Sequence, residues 1–309
     1  MKILCLFAGQ GYHDLHLFHF FQGNEEASIL LQHLSQAIEL DLLNTNWNLK
    51  SPYQAQLIIS AFQFCIFNLL APFLTSHQVN LAGLSLGEVS AFLASMDATP
   101  EAFFQTISFR TTLMTSIFHD QDKFEYDLLS IRGPWVLEDI QTLCQHYQCG
   151  VSIIYSEQHF ILAGQIKNLK KLLKKLGQDY PIQHHFLGVH VPSHSAFYAH
   201  LQGLFYQELT SFFSKPLHYP ILNPLELRII YNAQEEKKLL DQELYTPLQW
   251  HKLCQLIPEY QYDLIVDLGP GDTMSKQLKM MNIDIPIFTF SHFKSIHGAL
   301  KAFKNLVNQ

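Results

Sequence analysis

The sequence predicts an α/β fold in which a sheet-and-helix core is interrupted by a small inserted unit of ferredoxin-like order. Three observations predict it. Two short apolar strand patterns, at 2–8 and 79–84, each run directly into a glycine-containing turn. A strand-helix-strand-strand-helix-strand succession fills residues 126 to about 191. After it, alternating helix and strand patterns resume and close on a third buried strand at 264–268. Strand, sharp turn and helix in that order place the functional edge of such a sheet at the strand C-termini.

Residues 2–8 read as a buried strand ending in Ala8-Gly9-Gln10-Gly11, a turn whose small residues let backbone approach closely. Helical patterns follow at 25–40 and 55–74. The strand at 79–84 passes at once into Ser85-Leu86-Gly87-Glu88 and a helical run through Leu93. The texture changes near Gln121. Beyond it the patterns read strand 128–131, helix 137–146, strand 151–154, strand 159–163, helix 166–176 and strand 185–189. That order is the ferredoxin-like one. The closing strand ends in Gly269-Pro270-Gly271, another tight turn.

The bulk properties agree with a packed globular chain. Its 309 residues are 48% apolar and 15% charged, with 24 Phe and 13 Tyr to fill a core. A net charge of −7 argues against a nucleic-acid binder. The longest apolar stretch, 57–74, is broken by Ser60, Gln63, Asn68 and Pro72, so a buried helix is expected there and no membrane association. The apolar run before Gly9 is too short for a signal peptide. Five cysteines, an odd number, are expected as reduced thiols in the cytoplasm.

The strongest chemical signal is Gly83-Leu84-Ser85-Leu86-Gly87, a G-x-S-x-G pattern at a predicted strand-to-helix turn. Such a turn strains the serine backbone, needs glycine on both sides, and presents the hydroxyl at a helix N-terminus. The bland alternative is a plain tight turn. A serine nucleophile needs a base, and with 17 histidines composition alone selects none. His13, His16 and His19, and the pair His184-His185, lack Cys or carboxylates at zinc-like spacing and read as helix-surface and strand residues, so no metal is expected. His194 differs. It lies in Val191-Pro192-Ser193-His194-Ser195, where the inserted unit returns to the core, a place suited to an imidazole at the lip of a cleft.

Six segments occur in order: Phe7-Ala8-Gly9-Gln10-Gly11, Gly83-Leu84-Ser85-Leu86-Gly87-Glu88, Arg110-Thr111-Thr112-Leu113-Met114, Val191-Pro192-Ser193-His194-Ser195, Leu244-Tyr245-Thr246-Pro247-Leu248-Gln249-Trp250 and Gly269-Pro270-Gly271. Together they resemble the malonyl-CoA:acyl carrier protein transacylases, with family-like separations, from residue 3 to about 285. The resemblance implies an α/β-hydrolase-like core made of residues 1–124 and 192–309, with residues 125–191 as the ferredoxin-like small subdomain. It implies ping-pong transfer of a malonyl group from malonyl-CoA to the phosphopantetheine thiol of an acyl carrier protein. Ser85 would be the nucleophile, His194 the general base and then acid, and the N–H groups of Gln10 and Leu86 the oxyanion hole. Arg110 would clamp the malonyl carboxylate, with Met114 of the same segment also at the substrate. No cofactor is implied beyond malonyl-CoA as substrate. Read without the resemblance, Arg110 is an ordinary surface arginine of a helix.

Three positions depart from the family pattern. Leu84 precedes the nucleophile where the family generally has His. Glu243 stands where the family has a Gln whose main-chain carbonyl orients the catalytic His; that carbonyl survives any substitution, and a carboxylate reaching His194 would stabilise the imidazolium. Ser156-Glu157-Gln158-His159 replaces an Asn-Ser-x-x-Gln pattern.

Rival readings keep the scaffold. The short segment between Gly11 and Gln56 and the Ser51-to-Leu57 and Trp250-His251 pairings resemble the transacylase subunit of malonate decarboxylase, and a stand-alone polyketide acyltransferase is a further alternative. An acyl hydrolase editing carrier proteins is the rival of another class; Arg110 argues against it, because an uncharged acyl group would leave the guanidinium unpaired. Lys167, Lys170, Lys171, Lys174 and Lys175 crowd one predicted helix face. They read either as a solvated amphipathic face or as a docking face for an acidic carrier protein.

Overall fold

The computed structural model describes residues 1–11, 14–44, 46–117, 125–178 and 181–308. His13 and Gln121 therefore lie outside the described residues. Chain order runs β1 (Lys2–Phe7), α1 (Glu25–Ala37), α2 (Pro52–Leu70), β2 (Gln78–Gly83), α3 (Leu86–Ser95) and α4 (Pro100–Thr115). Next come β3 (Tyr126–Arg132), α5 (Leu137–His146), β4 (Cys149–Ser156), β5 (His159–Gln165), α6 (Ile166–Leu176) and β6 (Gln183–Phe186). The chain ends with α7 (Leu204–Phe212), β7 (Ile221–Asn223), β8 (Arg228–Ile230), α8 (Ala233–Glu243), α9 (Trp250–Leu256), β9 (Leu264–Asp267), α10 (Thr273–Met280), β10 (Ile287–Thr289) and α11 (Ile296–Val307).

The strands form two sheets. One has six strands in the order β10-β9-β1-β2-β7-β8, parallel except for the β7–β8 pair. Its inner strands β1 and β2 are apolar on both faces because helices cover both, the usual state of a parallel sheet. The helix α2 packs on it, with the Phe67 ring 5.6 Å from that of Phe7. Taken on to Phe73 it makes a 22-residue span long and apolar enough to cross a membrane, yet 78% of its most apolar 18-residue stretch is buried inside the protein. An apolar helix buried on nearly all sides belongs to a core. Pro52 in its first turn has no N–H to leave unpaired, and the Asn24 and Thr99 side chains at the starts of α1 and α4 accept the N–H groups of Ala27 and Ala102.

The other sheet is antiparallel, in the order β4-β5-β3-β6. Alternation along its strands divides their side chains between two cores. Leu129, Ile131, Val151, Phe160 and Leu162 pack with Ile140 and Cys144 of α5 and Leu169, Leu172 and Leu176 of α6 in a separate cluster. Leu128, Ile153, Ile161 and Ala163 face the other way and join the large core. The strand expected at 185–189 instead spans Gln183–Phe186. Beyond it the Asp127 carboxylate accepts the N–H groups of Gly188 and Val189 at 3.1 and 3.0 Å, and Gly188 turns at φ 67°. A side chain has replaced the ladder as the acceptor, so the strand stops. His19 sits in a 3-10 turn, Leu17–Phe21, with His16 just before it, their rings 4.9 Å apart, where a helix surface was expected. His184 and His185 are exposed strand residues of β6, as read.

Candidate active site

The two sheets meet at Ser85. It occupies the turn between β2 and α3 with φ 58° and ψ −113°, a backbone conformation that costs on the order of 1–3 kcal/mol. Both flanking glycines are required. A Cβ on Gly83 would land on the Gly87 and Glu88 backbone, and one on Gly87 would strike the Phe7 carbonyl. The register β1 to β2 carries Phe7 opposite Gly83, which brings the Ala8-to-Gly11 turn beside the serine.

His194 closes on it from the segment after the antiparallel sheet, itself at φ 56° with its N–H held by the Leu244 carbonyl at 3.0 Å. Its Nδ1 lies 2.7 Å from the Glu243 carbonyl oxygen and its Nε2 lies 2.7 Å from Ser85 Oγ. A carbonyl only accepts, so the proton of the neutral ring sits on Nδ1. Nε2 is then the bare acceptor toward which the Ser85 hydroxyl donates. Burial, and next the Arg110 charge, lower the imidazole pKa from 6.5 to about 3, against the opposing pull of the Glu243 carbonyl. The ring is a neutral base across the whole ordinary pH range.

Arg110, on α4, is not the surface residue of a plain helix reading: only 2% of it is exposed. Its Nη2 donates to Ser85 Oγ at 3.2 Å and its Nη1 to Gln56 Oε1 at 2.6 Å. Met114, one turn further along α4, accepts through Sδ from Gln56 Nε2 at 3.8 Å, and its carbonyl accepts the buried Tyr198 hydroxyl at 2.7 Å. Both Arg110 and Met114 border a cavity that also reaches Gln10, Ser85, Leu86 and His194. No acceptor for the N–H of Gln10 or Leu86 is present among the described residues. The predicted residues are thus brought together around one cavity, and Leu84 supplies part of its apolar wall.

Glu243 is there too, but through its main chain. Its carboxyl stands 4.0 Å from His194 Nδ1, and Oε1 has no hydrogen-bond partner. The carboxylate therefore does not take the imidazole's N–H; its own carbonyl does. Burial pushes this carboxyl up to about 8, which the Arg110 charge opposes. Ser156 and Glu157 lie at the β4–β5 connection, and His159 stacks on Tyr155 of the cavity wall with ring centroids 5.0 Å apart. The lysines of α6 face away: α6 covers the side of the antiparallel sheet opposite the cavity.

Two residues that pattern reading missed also build the site. Gln56 is fully buried and joins Arg110, Thr111 and Met114 in one network. Gln63, two turns on, donates to the Ala8 and Gly269 carbonyls at 2.7 and 2.8 Å and so ties together two of the glycine turns. The available signal was a polar stripe, Gln56, Ser60 and Gln63, on one face of an otherwise apolar helix.

No protein-family model matches the chain. A malonyl CoA-acyl carrier protein transacylase of Staphylococcus aureus is 20% identical over 315 residues, covering 96% of this chain and 98% of the relative. The transacylase of the same name from Helicobacter pylori superimposes with a TM-score of 0.88 at 21% identity, over 100% of this chain and 99% of that one. A malonyl-transacylase solved in complex with its type II polyketide acyl-carrier protein gives a TM-score of 0.86 at 19% identity, over 98% and 100%. The chain is thus similar along its whole length to proteins named malonyl-CoA:acyl carrier protein transacylases. These likenesses run end to end, so the chain shares the mixed α/β fold of these solved structures.

Proposed function

We propose that this chain moves a malonyl group from malonyl-CoA to the phosphopantetheine thiol of an acyl carrier protein. The observation that carries the reading is the buried Arg110 guanidinium on the nucleophile itself, 3.2 Å from Ser85 Oγ. A serine hydrolase for neutral acyl groups has no use for a desolvated cation at that place. An acyl chain ending in a carboxylate does, because a bidentate pair with guanidinium is both strong and directional.

The chemistry follows from the hydrogen-bond chain. Ser85 gives its proton to His194 Nε2 as Oγ attacks the thioester carbonyl. The Gln10 and Leu86 N–H groups receive the developing oxyanion; loss of one such donor costs about 3–4 kcal/mol in a transition state. The imidazolium, held in place by the Glu243 carbonyl, protonates the departing CoA sulfur. In the second half the carrier thiol gives its proton to the same Nε2 and attacks the Ser85 ester, and His194 returns the proton to Oγ. The scheme uses no metal or redox cofactor.

We read residues 1–124 and 192–309 as an α/β-hydrolase-like core and residues 125–191 as a ferredoxin-like subdomain forming the other wall of the cleft. The strand order β4-β5-β3-β6 and the separate cluster beneath α5 and α6 support that division. The cytoplasm is the fitting compartment, with all five cysteines free. Fatty-acid synthesis, polyketide synthesis and malonate decarboxylation differ here only in the carrier protein that accepts the group. Intact-protein mass spectrometry after incubation with malonyl-CoA, methylmalonyl-CoA or acetyl-CoA tests the reading. A malonyl adduct absent in Ser85→Ala and far weaker with acetyl-CoA is expected. Free CoA accumulating without any adduct would favour the hydrolase instead.

A further inference from the structure

Behind the site lies a group of carboxyls that the transfer scheme does not use. Glu88 of α3 and Glu236 of α8 are fully buried, and Asn223 Nδ2 bridges them, 2.5 Å from Glu88 Oε1 and 3.3 Å from Glu236 Oε2. Glu243, at the end of α8, completes the group toward His194. Glu88 and Glu236 hydrogen-bond carboxyl to carboxyl, Glu88 as the protonated partner, while Glu243 Oε1 is buried with no hydrogen-bond partner. Among the described residues, Arg110 is the only cation whose charge acts on Glu88 and Glu243, and it makes no ion pair there: its hydrogen bonds go to two neutral oxygens. Lys237 is turned away onto the Phe213 carbonyl.

A guanidinium buried this deeply needs negative charge nearby, and three carboxyls this deeply buried cannot all carry it. We infer that the Glu88–Glu236–Glu243 group is the exchangeable counter-charge of Arg110, and that an acyl carboxylate displaces it by driving a proton from solvent onto the group. This rests on Arg110 as the acyl-carboxylate site. In the empty site the group shares a negative charge that stabilises Arg110. When a dicarboxylic acyl chain brings its own carboxylate, two anions would face one cation in a dry site. One carboxylate then becomes a carboxylic acid, its proton coming from solvent, with no bond to carbon made or broken. Burial, the largest effect on each, lifts Glu243 to about 8 and Glu236 to about 7, which places the exchange near neutral pH. The groups facing Glu243 are Arg110 from α4, Glu88 from α3, Glu236 from its own helix, the His194 ring and the Ser85 N–H, and the Tyr198 phenol acts in turn on Arg110. An acetyl group carries no charge and triggers no exchange. The device makes loading by a charged acyl group a proton-linked event, and it is a determinant of acyl specificity separate from the clamp.

The test is isothermal titration calorimetry of the Ser85→Ala protein with malonyl-CoA and with acetyl-CoA, at about pH 7.5 in buffers of different ionisation enthalpy. Malonyl-CoA is expected to take up more protons than acetyl-CoA, by up to about one per site. Glu243→Gln or Glu236→Gln in the Ser85→Ala background should each shrink that difference, and either serves if the other fails to fold. Equal proton numbers for the two thioesters, with malonyl-CoA still bound more tightly, overturn the exchange and leave the clamp standing. No preference for malonyl-CoA overturns both.

Discussion

The Glu243 carbonyl holds His194 Nδ1 at 2.7 Å, while the carboxyl of the same residue stands 4.0 Å from that nitrogen without bonding to it. The orienting partner of the His194 imidazole is thus a main-chain dipole, and the adjacent carboxyl is free to serve a different end. A carbonyl fixes the tautomer and accepts no proton, so the ring, being also buried, stays a weak base until the reaction charges it.

The acid limb of the free enzyme's kcat/KM should therefore lie far below that of an ordinary histidine. With the His194 pKa lowered from 6.5 to about 3, acylation by malonyl-CoA should hold its rate down to about pH 5. Stopped-flow or mass-spectrometric acylation rates from pH 4.5 to 7.5 check this. An inflection near the ordinary histidine value would contradict the placement of the ring.

Arg110→Ala should lower kcat/KM for malonyl-CoA by roughly 10²–10³, since truncating one member of a buried charge pair costs about 2–5 kcal/mol. Acetyl-CoA should improve as a donor, because a neutral acyl group no longer meets an uncompensated cation. Parallel single-turnover rates with the two thioesters measure it. An equal fall for both would remove the clamp role.

Gln56→Leu should weaken both fold and function. It strips the acceptor from Arg110 Nη1 and Thr111 Oγ1 inside a dry helix interface. A donor left unpaired there costs about 1–3 kcal/mol. A lower melting temperature together with a fall in malonyl transfer larger than that in acetyl transfer is the expected result. Unaltered malonyl selectivity would show that Gln56 does not orient the guanidinium.

Alkaline stability should respond to Glu243. Its folded pKa is raised from 4.5 to about 8, so the favourable contribution of the protonated carboxyl is complete below 4.5 and is lost as pH rises toward 8. Wild-type protein should lose stability across that window, and Glu243→Gln should lose less, the difference reaching on the order of a few kcal/mol by about pH 9. Denaturant titrations at four or five pH values give the curve. Parallel wild-type and variant profiles would mean that the carboxyl is not buried as a neutral acid.

Much of this was legible before any coordinates. The antiparallel sheet and its two helices were visible because the periodicities switch cleanly: helices at 137–146 and 166–176 coincide with Leu137–His146 and Ile166–Leu176. The Ser85 turn was visible because Gly83 and Gly87 have only one steric excuse, the approach of backbone to backbone. The stop of β6 at Phe186 was not visible, since it depends on the Asp127 carboxylate reaching across from β3. Nor was the direction of the lysine helix: amphipathicity tells which side of α6 is wet, and says nothing of which side of the sheet it covers.

Local pattern by itself determined the order of elements, the serine turn and the residue types at each wall of the cleft, because these obey short-range rules of period, turn geometry and sterics. The resemblance named His194 and Arg110, and tertiary structure alone set the distances that bring both onto Ser85 and the burial of the guanidinium. It also decided that Glu243 serves through its carbonyl while its carboxyl joins Glu88 and Glu236 in one dry cluster. These are matters of distance and desolvation between residues remote in the chain, and charge and protonation are set by what surrounds a group in space.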